Sequence, residues 1–152
     1  NRRIKGVTQI SFVLHQKIHL KGFSFAPLQK AYEKLYASEN DAVYGDTFRI
    51  EGREVTGIGN NVTLEFHDMD FGEDGCSSVT ICGRTHNDKD AIHISFQEGE
   101  QETRQLVEFE GTADDSYREL TFPLKCVKGT KTVRFIFLPG SNFDFSWVEF
   151  HH

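Results

Sequence analysis

VRFIFLPGSNFDFSWVEF, residues 133 to 150, decides the reading of the fold, because two apolar runs flank a turn and the chain's only tryptophan lies in the second. Pro139-Gly140-Ser141-Asn142 supplies the turn: proline presets one φ, glycine tolerates positive φ, and asparagine can bond to its own backbone. The pattern predicts a closing β-hairpin. In the second run Phe143, Phe145 and Trp147 alternate onto one face, with Asp144, Ser146, Val148 and Phe150 on the other. The apolar phase therefore changes near Trp147, which predicts a bulge or a strand buried on both faces. Asp144 is a carboxylate set between aromatics, and such a group costs free energy unless a cation or hydrogen-bond donors satisfy it.

Working outward, the rest of the chain repeats this vocabulary. Val62, Leu64 and Phe66 alternate with Thr63, Glu65 and His67, as do Ile92, Ile94 and Phe96 with His93 and Ser95, the signature of strands with one face in a core. Shorter runs at 79 to 82, 106 to 109 and 117 to 126 are separated by Gly72-Glu73-Asp74-Gly75, by an acidic turn between Glu98 and Glu102, and by Lys128-Gly129-Thr130. Strands at such spacing with turn chemistry between them predict an all-β fold, an antiparallel sandwich or jelly roll. From Pro27 to Tyr36 a short helix competes with strand, since Leu28, Ala31, Tyr32, Leu35 and Tyr36 follow helical spacing. Residues 7 to 25 read as one or two strands, and His15 and His19 within them as exposed strand histidines, not a metal pair.

The 152 residues suit one domain, and 14 phenylalanines favour packed β-structure. A net charge of −6 without a basic stripe argues against nucleic acid. No apolar run approaches the roughly 20 residues of a membrane span. Cys76, Cys82 and Cys126 are odd in number and lack C-x-x-C spacing, so they read as reduced structural thiols. The chain opens on Asn1 and closes on His151-His152, which reads as a tag remnant on a piece of a longer protein. The thiols and the lack of a visible export signal lean toward a bacterial cytoplasm.

Catalytic signatures are missing: no G-x-S-x-G, no H-E-x-x-H and no local Cys/His pairing occurs. Gly57-Ile58-Gly59-Asn60-Asn61 has too few glycines, wrongly spaced, for a phosphate loop. A binding reading makes more of the residues, since sugar sites set an aromatic face against ring C–H groups and use amides and guanidinium for the hydroxyls. Asn60, Asn61, Arg84, Tyr117 and Asn142 all lie in or beside predicted loops. Each also has an ordinary role, as a turn residue, a surface cation or the rim of the core. Only their convergence would mark a site.

The ending F-x-F-x-P-G-S-N-F-D-F-x-W-V-E-F resembles the closing strands of family-six-like carbohydrate-binding modules. Tyr44-Gly45-Asp46-Thr47-Phe48, 57 to 62, Met69-Asp70-Phe71-Gly72 and Ile81-Cys82-Gly83-Arg84-Thr85 resemble the C-terminal module of bacterial glycoside hydrolase family two β-galactosidases. The resemblance spans nearly the whole chain. It implies a jelly-roll β-sandwich of two antiparallel sheets over residues 26 to 150, preceded by tail strands of another domain in residues 1 to 25. It implies a module without catalytic residues, serving a larger hydrolase of β-galactosides as a carbohydrate-binding or accessory domain; a purely structural domain that packs on the catalytic domain is the alternative. Galactose-containing carbohydrate and the parent's other domains are the implied partners. For the sugar it implies Tyr117 in the place of a common tryptophan platform, Asn142 as the turn asparagine and Tyr44 as a second aromatic; Asn60 and Arg84 join them as hydrogen-bonding groups. It also implies one structural Ca2+ held by Glu39 and Asp144, although Ala37 replaces the first glutamate of the family's Glu-x-Glu and a calcium site wants about six to eight oxygens.

Overall fold

The computed structural model describes Val13 and residues 30 to 152. The strands predicted over 7 to 25, with His15 and His19, lie outside the described residues save for Val13. Among the described residues the elements are 3-10 turns at Lys30–Tyr32 and Ala37–Glu39 and eleven strands. In chain order they are β1 (Leu35–Tyr36), β2 (Ala42–Tyr44), β3 (Arg49–Glu51), β4 (Glu54–Ile58), β5 (Thr63–Asp70), β6 (Cys76–Thr85), β7 (Lys89–Glu98), β8 (Gln101–Glu110), β9 (Arg118–Val127), β10 (Thr130–Phe137) and β11 (Phe143–His151). Of the stretch from 27 to 36, where helix and strand compete, residues 27 to 29 lie outside the described residues; the remainder forms a single 3-10 turn, Lys30–Tyr32, and a short strand, Leu35–Tyr36. A lone turn fixes several dihedrals for one hydrogen bond; here it is held by burial of Ala31 and by bonds from Lys30 to the His67 carbonyl and from the Tyr32 hydroxyl to the Phe71 carbonyl.

Two antiparallel sheets face each other. The first runs β3-β4-β11-β6-β9, with β1 also on β11; the second runs β2-β5-β10-β7-β8. This is the predicted all-β sandwich. The predicted closing hairpin is not formed, however, because β10 pairs with β5 and β7 whereas β11 pairs with β4, β6 and β1. The turn at 138 to 142 carries the chain across the core from one sheet to the other. Its two aromatic rows then meet face to face: Phe135 and Phe145 stand 5.2 Å apart between ring centroids, and Phe137 and Phe143 5.3 Å. Edge-to-face and tilted ring pairs of this kind add to the burial of apolar area.

The phase change near Trp147 is a bulge. The ladder to β6 slips between Phe145 and Trp147, and at the same point β11 exchanges one neighbour for another, β4 pairing with Phe143 and Phe145 and β1 with Trp147 and Val148. The extra residue keeps Val148 and Phe150 in the core and turns Trp147 out of it. Trp147 is nevertheless buried, at 8% exposed, and is covered from outside by Lys34, whose Nζ lies 3.7 Å from the ring centroid. Gly83 opposite Phe145 is needed for close approach, since a Cβ there would fall 2.4 Å from the Phe143 ring.

His151 ends β11 and its Nε2 lies 2.8 Å from the Thr80 hydroxyl, while the His152 ring stacks on Tyr32 at 4.0 Å. All three cysteines are free; Cys76 and Cys82 are buried, but Cys126 is exposed on β9.

Candidate functional site

A second slip lies in β4, where the ladder to β11 passes from Val55 to Ile58 and Gly57 adopts φ +58°. That left-handed conformation suits glycine, and the bulge releases the Gly57 N–H from the ladder. It donates instead to Asp144 Oδ1 at 2.8 Å. Asp144, paired with Arg84 across β11 and β6, points to the outer face of the first sheet, where Arg84 Nε donates to Oδ2 at 3.1 Å and His86 Nε2 lies 3.2 Å from the same oxygen. The carboxylate is 4% exposed. Burial opposes its ionisation, yet the Arg84, Gly57 and His86 bonds together hold its pKa below the ordinary carboxylate value. The acidic group singled out in the sequence is therefore answered by a guanidinium and a backbone amide.

Around this pair the outer face of the first sheet forms an open depression of about 470 Å³. Tyr117, at the mouth of β9, lies under Arg84, whose guanidinium carbon is 5.0 Å from the ring centroid. Its hydroxyl donates to Glu54 Oε2 at 2.7 Å, and burial, then that bond and charge, push its pKa upward. Asn142, exposed in the loop before β11, uses its backbone to bond Asp90 and His86, and no side-chain hydrogen bond is formed by its amide among the described residues. Thr56 is 7% exposed at the floor, and its hydroxyl has no hydrogen-bond partner among the described residues. His86 closes the far side, its Nδ1 2.8 Å from Asp115 Oδ2. The depression thus offers a tyrosine edge, an amide, a guanidinium and carboxylates where loops meet the end of the first sheet, groups that together can hold a polyhydroxylated ligand.

Of the five residues expected to bind sugar, Arg84, Tyr117 and Asn142 come together here. Tyr44 does not. It stands on β2 in the second sheet, its hydroxyl donating to Glu65 Oε1 at 2.7 Å, so the core separates it from Tyr117. Local alternation tells which residues point outward but not on which sheet. Asn60 is also elsewhere engaged: its Oδ1 accepts the Gly140 N–H at 2.6 Å and ties two loops together. His86, Glu54 and Thr56 were not anticipated. His86 lies two residues beyond Arg84, just past the end of β6, and strand alternation carried one step on would place both on one face; that was the available signal.

The two residues expected to hold calcium each accept hydrogen bonds from donors of the chain itself. Glu39 Oε2 accepts the Tyr36 N–H at 3.0 Å in the turn that starts there, and Asp144 already has a guanidinium and an amide on its two oxygens. The positive charge beside Asp144 is that of the Arg84 guanidinium. No cluster of three or more His, Cys, Asp or Glu suited to a metal occurs among the described residues.

No family model matches the sequence, and no match to it was found among curated proteins. Solved structures do match. A family 6 module from Clostridium stercorarium in complex with cellobiose is similar with a TM-score of 0.68 at 24% identity, covering 80% of this chain and 94% of that one. A family 6 module from Clostridium cellulolyticum in complex with xylose gives 0.68 at 21% identity, over 80% and 98%. Within a family 43 arabinoxylan arabinofuranohydrolase from Bacillus subtilis, solved with cellotetraose, the likeness has a TM-score of 0.65 at 18% identity and covers 80% of this chain but 27% of the enzyme. The two-sheet sandwich of residues 30 to 152 is the fold of the family 6 carbohydrate-binding modules.

Proposed function

We propose that this chain is a carbohydrate-binding module of a larger glycoside hydrolase, without catalytic machinery of its own, and that it holds a neutral sugar in the depression beside Tyr117. The observation that carries this is the meeting of Tyr117, Arg84 and Asn142 around one open depression. In this reading Tyr117 contacts the apolar side of a sugar ring, Asn142 and Arg84 bond its hydroxyls, and a β-galactoside is the substrate class of the parent enzyme. The neighbours solved with cellobiose and xylose make gluco- and xylo-configured sugars the necessary comparison. One ring with a few solvent-competed hydrogen bonds binds with a Kd on the order of 0.1 to 10 mM.

Calorimetric titration with galactose, lactose, β-linked galacto-oligosaccharides, cellobiose and xylose tests this. Saturable heat that Tyr117→Ala and Asn142→Ala each remove, with the melt unchanged, supports the site. Binding that survives both substitutions overturns it. One observation favours a second reading, a domain that packs on its catalytic neighbour: Arg84 lies over Tyr117 and Glu54 holds its hydroxyl, so the ring is partly engaged. Silence across the whole panel, with tighter packing of the intact parent when this domain is present, is the result that reading expects.

A further inference from the structure

We infer that a second cleft, on the side of the sandwich where β8 and β9 approach, binds a carboxylate carried on a sugar chain, that is, a uronic-acid residue in a largely neutral oligosaccharide. This rests on the reading of the chain as a glycan-binding module. The cleft holds about 610 Å³ and is lined by Arg104, Lys125, Lys128 and Lys131. Four cations in one place are unexpected on a chain of net charge −6.

Two of the four are already answered. Arg104 Nε and Nη2 each lie 3.1 Å from a Glu102 oxygen, and Lys131 is paired with Glu98. Lys125 and Lys128 are exposed and make no salt bridge to an acidic side chain among the described residues. The floor between them is fixed. Gln105 accepts the Lys125 N–H at 2.7 Å and returns a bond to the Lys125 carbonyl at 3.2 Å, so a side-chain amide pairs with the free edge of β9 and holds the two sheets in register there. Lys125 is thus presented from a fixed backbone.

The charge balance selects the ligand. A densely charged polyanion would meet the repulsion of the whole molecule, whereas one carboxylate needs only the two unpaired ammonium groups. Val127 and the lysine methylenes supply apolar contact of the modest kind a sugar ring uses, and no large aromatic lines the cleft as an anchor for a peptide. Cys126, also on the wall and exposed, provides a reporter.

The test uses a glucuronic-acid-substituted xylo-oligosaccharide and its carboxyl-reduced counterpart, titrated into the chain at low and at high salt. The carboxylate chain is expected to bind at least about fivefold more tightly at low salt, with the advantage fading as salt rises. Lys125→Gln with Lys128→Gln removes that advantage, and the bound ligand slows alkylation of Cys126 by neutral iodoacetamide. Equal binding of the two oligosaccharides overturns the inference, as does an advantage that survives loss of both lysines. So does competition by a short polyglutamate peptide at equal or lower concentration, which makes the cleft a site for acidic protein segments. The reduced oligosaccharide separates this inference from the reading above: binding of it through Tyr117 with no gain from the carboxylate sinks only the second cleft. Carboxylate-dependent binding through the lysines, with no heat from the reduced chain or the neutral panel, sinks only the first.

Discussion

Replacing Arg84 by methionine tests the reasoning about Asp144 most severely. Methionine keeps much of the aliphatic volume and removes the guanidinium, leaving a carboxylate whose side chain is 6% exposed with only the Gly57 amide and His86 for partners. Breaking a buried ion pair from one side costs about 3–5 kcal/mol. Arg84 itself is 31% exposed, so part of its charge is already solvated and the pair is only partly buried. The expected loss is therefore about 2–4 kcal/mol, a fall in Tm of roughly 5–15 °C for a domain of this size. Urea unfolding followed by the fluorescence of Trp147, the single tryptophan and a buried one, measures it. Arg49→Met is the control, because Arg49 and Glu51 form a pair that is 72% and 59% exposed on the two sides, and such pairs contribute only about 0–1 kcal/mol. If Arg84→Met unfolds at the same urea concentration as Arg49→Met, the account of Asp144 as a carboxylate held by arginine is wrong.

Other consequences follow from the same contacts. Gly83→Ala is expected to destabilise by about 1–3 kcal/mol, since its methyl would overlap the Phe143 ring and the Asp144 carbonyl; a melt within a degree of the parent's would contradict the close approach. Glu65 accepts bonds from Tyr44, Arg134 and His67, and although burial works against its ionisation these hold its pKa down to about 2 from 4.5. A depressed carboxyl contributes stability above its unfolded pKa and loses it as pH falls, so stability is expected to drop between pH 4.5 and about 2. Glu65→Gln should flatten that part of the pH–stability curve, and an unchanged slope would assign it to other groups. Cys126 should react with a thiol reagent at neutral pH while Cys76, pushed up by burial to about 11, reacts only on unfolding; equal rates would refute this. A chelator is expected to leave the melt unchanged, because arginine stands against Asp144; a chelator-dependent fall in Tm would restore a metal to the account.

Much of the sandwich was legible because an antiparallel strand with one face in a core writes its geometry into every second residue. Val62 to His67 and Ile92 to Phe96 lie where their alternation puts them. The phase break at Trp147 announced its bulge for the same reason. Partner choice was not legible. An inward row of Phe135 and Phe137 reads alike whether the next strand lies beside it or across the core, so the hairpin predicted there is an arch between sheets. The same ambiguity misplaced Tyr44, which is exposed but on the opposite sheet from Tyr117. Asp144 was recognisable as a group in need of partners; that Arg84 and the Gly57 amide answer it depends on strand register and on a bulge in β4, which only the assembled sheet defines.

Whether the face bearing Tyr117, Arg84, His86 and Asn142 holds the sugar can be read residue by residue from the amide chemical shifts of the labelled chain as lactose, and separately cellobiose, is added. Saturable shifts are expected, concentrated at residues 54 to 57, 84 to 86, 117 and 142. Shifts centred instead on Tyr44, Glu65 and Arg134 of the opposite sheet, or none at millimolar sugar, would contradict it.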